Sequence, residues 1–170
     1  METSENKAII QCQQGDLEKF GRLYDVYIKK IYDFVYYKTF HKETAEDLTS
    51  QTFTKALENI NRYDQALGSF SSWLYRIARN TIIDHYRTKK ETVDINDVWS
   101  LASSCDIQRD TDIKRRITDL QRYLCRLKPE QREIIIMRIW NELSYEKISY
   151  ILNKSENSCM TGPRKTEPPR

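Results

Sequence analysis

Apolar positions along this chain recur every three or four residues, the interval that gathers side chains on one side of a helix. Leu17, Phe20, Tyr24, Tyr27, Ile31 and Phe34 form such a stripe through LEKFGRLYDVYIKKIYDFVYYK, with Asp16 as its expected N-cap, and the stripe reads first of all as core. In KETAEDLTSQTFTKALENI, Ala45, Thr49, Phe53, Ala56 and Ile60 gather on one side. Asp47, Gln51, Thr54 and Glu58 line another, giving either a docking surface or a face that meets water. A third helix, in GSFSSWLYRIARNTIIDHYRTKK, is expected to be capped by Ser71 or Ser72 and to cluster Phe70, Leu74, Ile77, Ala78, Thr81 and His85 on one face. Further on, Ile113, Ile117, Leu120, Leu124 and Leu127 repeat with helical spacing. Pro129 suits the first position of the next helix, PEQREIIIMRIW. Ser144 caps a short helix holding Ile148, Ile151 and Leu152, Asn153 takes the left-handed turn, and Ser155 caps the start of another helix. That last pair is a helix-turn-helix pattern, with the small Ser149 where two helices approach, although an ordinary helical hairpin has the same pattern.

Composition supports an all-α fold: the 170 residues include four glycines and four prolines, three of the prolines in the last eight positions, so the body of the chain holds few helix breakers. No apolar run approaches the roughly 18 residues of a membrane span, and the N-terminus lacks a basic region followed by an apolar core. A cytoplasmic protein without membrane insertion is expected. Cys12, Cys105, Cys125 and Cys159 are widely spaced, and His41 and His85 stand alone, so the sequence calls for no metal, no cofactor and no catalytic residue.

Charge divides the chain. Residues 65–90 carry five Lys/Arg against one Asp/Glu, residues 91–113 one against six, and residues 114–143 eight against four. The acidic stretch ETVDINDVWSLASSCDIQRDTD is poor in helical periodicity and would be repelled by phosphate, so it reads as a linker between two small helical domains.

In the third helix, Arg76, Arg79, Arg87 and Lys90 fall opposite the apolar face with Asn80 beside them, a cationic row along about four turns. Trp73, Tyr75 and Tyr86 offer flat surfaces nearby, and aromatics next to cations suit an unpaired strand. Taken alone, the same residues also fit a helix with core aromatics and solvated arginines.

The stretch AEDLTSQTFTKALENINRYDQALGSFSSWLYRIARNTIIDHYRTKK resembles region 2 of the sigma-70 family of bacterial transcription initiation factors, in its compact extracytoplasmic-function (ECF) class. Both the D-L-x-Q-E-x-F type motif and the F-x-x-W-L-x-x-I-A-x-N-x-x-x-D-x-x-R type motif are present in order. The resemblance implies that Asp47, Leu48, Ser50, Gln51, Phe53 and Thr54 bind the clamp helices of core RNA polymerase, with Ser50 where the family usually has Gln and Gln51 where it usually has Glu. It also implies that Trp73, Arg76, Arg79, Asn80, Arg87 and Lys90 read and melt the minus-ten element, with Asp84 orienting neighbouring arginines. LSYEKIS resembles the helix-turn-helix of sigma region 4, which makes Ser144, Tyr145, Lys154, Ser155, Glu156 and Asn157 the candidates for minus-thirty-five DNA.

The resulting division is region 2 over 8–90, a linker over 91–111, region 4 over 112–158 and a divergent tail over 159–170. Family members continue from S-E-N-S with a full basic and apolar helix, whereas this chain has CMTGPRKTEPPR, an expected mark of a shifted reading frame or a truncated gene. The expected function is that of a sigma factor, with core polymerase, promoter DNA and an anti-sigma factor as partners. The alternative is a sigma-like decoy that binds polymerase or an anti-sigma factor without productive initiation.

Overall fold

The computed structural model describes residues 2–89, 123–124 and 126–160, all of whose regular elements are helical. Four long helices lie in the first part: α1 (Glu2–Gln13), α2 (Phe20–Thr39), α3 (Lys42–Glu58) and α4 (Phe70–Lys89). Three shorter ones follow, α5 (Pro129–Ile135), α6 (Tyr145–Leu152) and α7 (Glu156–Met160), with a π-helical turn, Ile136–Trp140, continuing α5. The linker over 91–111, Ile113, Ile117 and Leu120 of the expected helical repeat, and the tail beyond Met160 lie outside the described residues.

Helices α2, α3 and α4 pack together around Ile31, Phe34, Leu48, Ala56, Leu74 and Tyr75, all essentially buried. Ring edges organise this core: Phe34 meets Tyr75 edge-on at 5.2 Å and Tyr63 meets Phe70 at 5.5 Å. The inward face expected of α3 is the one observed, since Ala45, Thr49, Phe53, Ala56 and Ile60 are all buried. Helix α1 closes one side. Its Gln13 side chain donates to the carbonyls of Ile60 and Tyr63 at 3.1 and 2.8 Å, fixing the α3–α4 connection.

Three sequence expectations need correction. Asp16 precedes a short 3₁₀ turn, Leu17–Lys19, without a capping bond from its side chain, and α2 begins at Phe20. The changed phase leaves Leu17 51% and Tyr24 42% exposed, while Leu23 and Val35 enter the core. The cap of α4 is Ser69, whose Oγ accepts from the Ser72 amide at 3.3 Å, so Ser71 and Ser72 lie inside the helix and are buried. Between α2 and α3 the chain turns within two residues: Phe40 adopts the left-handed conformation, and His41 caps α3 by accepting from the Thr44 amide at 3.2 Å.

In the second part the local reading holds. Pro129 opens α5, Ser144 accepts from the Lys147 amide at 3.3 Å, Asn153 is left-handed with φ 54°, and Ser155 accepts from the Ser158 amide at 3.4 Å. This second part packs on the first, α6 against α4 and the π-helical turn against α2. Trp140 lies 5.0 Å from Tyr37, and the Asn141 side chain donates to the Lys30 carbonyl at 3.0 Å. Gly68 lies against Tyr150 of the second part. A Cβ there would meet the Tyr150 ring at 3.0 Å, and its φ of 152° disfavours other residues as well.

Candidate nucleic-acid and polymerase interfaces

Helix α3 turns Asp47, Ser50, Gln51 and Thr54 outward, four of the six residues assigned to polymerase docking, and these are exposed. Leu48 and Phe53, the other two, are 1% and 5% exposed and belong to the core. Phe53 is held between the rings of Phe20 and Tyr24, at 6.4 and 4.8 Å. Both hold α3 in place within the core.

The candidate DNA-reading residues of α4 fall into three environments. Asn80 and Arg87 are exposed, and Arg87 pairs with Asp84 at 3.3 Å, while Lys55 of α3 stands 3.8 Å from the other oxygen of that carboxylate. Asp84 thus orients a neighbouring arginine, through solvent-screened contacts that add little stability. Trp73 is half-buried against Tyr63 and Phe70, at 5.4 and 5.5 Å, with the rest of the indole at the surface. Tyr75, offered by the sequence as a stacking surface, is instead fully buried beside Phe34, and desolvation holds its hydroxyl well above the usual tyrosine range. Lys90 lies outside the described residues.

Between α3 and α4 opens a cavity of about 360 Å³, whose lining includes Lys55, Asn59, Arg62, Trp73, Arg76 and Asn80. Cations, carboxamides, an indole and the Asp84 carboxylate share its wall. The sequence reading placed Trp73, Arg76 and Asn80 together but missed Asn59 and Arg62, because they come from the end of α3 and the turn after it. Their polar run NINRYD was the available signal.

Arg76 and Arg79 face the second part of the chain. The Arg79 Nε donates to Glu133 Oε1 at 3.0 Å, and that same oxygen accepts from Lys38 Nζ. Lys38 is 1% exposed and also lies over the Phe34 ring at 4.8 Å. Burial lowers its ammonium to about 8, an effect that the Glu133 carboxylate only partly offsets and that Arg79 and Arg132 reinforce. Folded Lys38 therefore gives up its proton below the ordinary lysine value, whereas the unfolded chain keeps it. The cost is fully present below about pH 8 and is relieved as pH rises toward 10.5. Between pH 8 and pH 10, unfolding free energy measured in urea should rise in the wild type relative to Lys38→Met, by up to about 2 kcal/mol. A parallel pH dependence of the two chains would contradict it.

In the helix-turn-helix, Ser144, Ser155, Glu156 and Asn157 are exposed and Tyr145 is half-buried with the Arg138 guanidinium 5.3 Å from its ring. Lys154 is paired with Glu130 at 2.6 Å. Helix α7 spans five residues, carries no Lys or Arg and opens on Glu156, so it gives phosphate little to hold.

One helical unit carries a cationic helix beside an indole-lined cavity, and the other carries two short helices in the helix-turn-helix pattern. Comparison narrows the reading. Residues 23–92 match the model of sigma-70 region 2, and residues 117–161 match that of sigma-70 region 4. The chain is 33% identical over 159 residues to the ECF RNA polymerase sigma factor BldN of Streptomyces coelicolor, covering 89% of this chain and 58% of BldN. With the ECF RNA polymerase sigma factor SigW of Bacillus subtilis it shares 30% identity over 164 residues, covering 90% of this chain and 87% of SigW. Its fold is similar to that of CnrH in complex with the cytosolic domain of CnrY, with a TM-score of 0.70 at 16% identity over 92% of this chain and 87% of that one. The chain belongs to the sigma-70 family, in its ECF class. The family is one of initiation factors that direct RNA polymerase to promoters, not one of catalysts. No helix among the described residues is long and apolar enough to cross a membrane.

Proposed function

We propose that this chain is a promoter-specificity subunit that docks on core RNA polymerase through α3 and melts the minus-ten element through α4. The observation that carries this reading is the cavity between those helices. Its size suits a nucleobase, its indole offers a stacking surface, Asn59 and Asn80 offer base-edge hydrogen bonds, and Lys55 and Arg62 stand where the strand's phosphates would pass. An unpaired base taken into it offsets the cost of separating the strands. The division into region 2 over 8–90 and region 4 over 112–158 belongs to the same proposal, as do the clamp helices of core polymerase, promoter DNA and an anti-sigma factor as partners.

Docking should depend on the exposed carboxylate and carboxamide of α3. Asp47→Lys with Gln51→Lys is expected to weaken association with core polymerase at least about tenfold, since each introduced cation places like or unpaired charge in the contact. Both side chains are exposed, so the helical circular dichroism should not change. Native-gel titration against core polymerase reads the affinity, and undiminished binding would remove α3 from the interface.

The short α7, which carries no Lys or Arg, favours a second reading, in which the chain occupies polymerase without opening DNA. Promoter opening by the reconstituted holoenzyme separates the two.

A further inference from the structure

A second cavity, of about 870 Å³, opens where the turn before α4 meets α6. Of its lining, only Arg76 also lines the cavity between α3 and α4. Its charge is lopsided: three cations, Arg76, Lys147 and Lys154, stand against one carboxylate, Glu146, and Lys154 is also paired with Glu130 at 2.6 Å. Arg76 is fixed in position, its guanidinium carbon 4.1 Å from the centre of the Tyr150 ring and its Nη2 donating to the Tyr150 carbonyl at 2.5 Å. Its other N–H groups meet no acceptor among the described residues. Lys147 is half-buried and has no ion-pair partner among the described residues. It is also the third residue of α6, its amide capped by the Ser144 hydroxyl at 3.3 Å, a position where the peptide dipoles favour a carboxylate over a cation. The ammonium stands there against the preference of its own helix.

We propose that this cavity binds a nucleoside triphosphate, with the phosphates on Lys147, Arg76 and Lys154. Like charges gathered along one cleft repel each other and concentrate its field on an incoming anion. The volume lies within the roughly 300–1,000 Å³ of small-molecule sites, well beyond what one phosphate fills. The rest of the wall suits the nucleoside. Leu67, 67% exposed, offers apolar surface to a planar base, and Gln65 and Asn153 offer carboxamides to its edge. Glu146, an odd neighbour for phosphate, serves as acceptor for the ribose hydroxyls. Because the wall comes from both parts of the chain, a bound nucleotide also stabilises the fold by mass action.

Isothermal titration calorimetry of the full chain, without magnesium, compares ATP, GTP, CTP and UTP with tripolyphosphate and with the free nucleosides, and Tm is followed alongside. At least one of the triphosphates should bind about tenfold or more tightly than tripolyphosphate or its own nucleoside, and should raise Tm. Lys147→Glu should weaken that nucleotide at least about tenfold by setting like charge against its phosphates. Glutamate at this position completes a capping box with Ser144, so the variant should fold at least as stably as the wild type. Leu67→Ala should weaken the nucleotide and leave tripolyphosphate unchanged. Arg62→Glu, which changes only the cavity between α3 and α4, should leave nucleotide binding as it is. Tripolyphosphate binding as tightly as any nucleotide would reduce the site to a cationic patch and overturn the proposal. It would equally be overturned by an absence of nucleotide binding, by full binding to Lys147→Glu, or by a loss with Arg62→Glu that matches the loss with Lys147→Glu. None of these results bears on promoter opening, which is tested separately.

Discussion

Replacing Asn80 and Arg87 together by alanine is expected to lower promoter-dependent transcription about a hundredfold while leaving association with core polymerase unchanged. Asn80 sits at the mouth of the cavity between α3 and α4, where a carboxamide can pair with a base edge, an interaction worth about 1–3 kcal/mol. Arg87 lies farther along α4, its guanidinium at the surface and oriented by Asp84. Its loss removes one phosphate contact and flattens the salt dependence by about one ion. Together the two losses amount to about 3 kcal/mol, or about two decades in rate or affinity. Neither side chain is part of the core, so the variant should unfold within about 0.5 kcal/mol of the wild type. Abortive transcription with core polymerase in excess is the measurement. A drop of less than about threefold would place strand recognition elsewhere.

Glu133→Ala is expected to destabilise the folded chain by about 3 kcal/mol, far more than Lys38→Met, which should cost less than about 1 kcal/mol. The asymmetry comes from the arrangement of charges. One carboxylate, 3% exposed, serves two cations from the first part of the chain, so removing it leaves a buried ammonium and a half-buried guanidinium uncompensated. Removing Lys38 leaves Glu133 paired with Arg79 at 3.0 Å, and the vacated site beside the Phe34 ring accepts a methionine of similar length. Urea unfolding at neutral pH reads both values. Equal losses would mean that Arg79 does not hold the carboxylate once Lys38 is gone, and would contradict the asymmetry.

Much of this was legible in the sequence where the signal is local. Helical spacing marked α3 and its inner face, Pro129, Ser144, Asn153 and Ser155 marked the limits of the later helices, and the order of the two motifs marked the family. Misreadings came where phase or distance matters. Leu17 lies in a 3₁₀ turn instead of the first turn of α2, so the apolar stripe starts from a different residue than its spacing implied. The motif that names Leu48 and Phe53 does not distinguish a residue that touches a partner from one that holds the helix, and burial assigns both to the second role. Tyr75 sits among arginines in sequence, yet one residue is 100° of rotation on a helix, and that rotation takes it into the core. Lys38 and Glu133 are 95 positions apart, and no periodicity or spacing joins them. Nothing in a linear pattern shows that a lysine in an aromatic helix is buried because a distant carboxylate meets it.

Permanganate reactivity of thymines in the minus-ten region reads strand separation at a promoter. With core polymerase and the wild-type chain, thymines there should become reactive, and with Asn80→Ala plus Arg87→Ala they should stay protected although polymerase still binds. Polymerase bound by the wild-type chain over DNA that stays unreactive would contradict strand separation by this chain and identify it as an occupant of polymerase that does not open promoters.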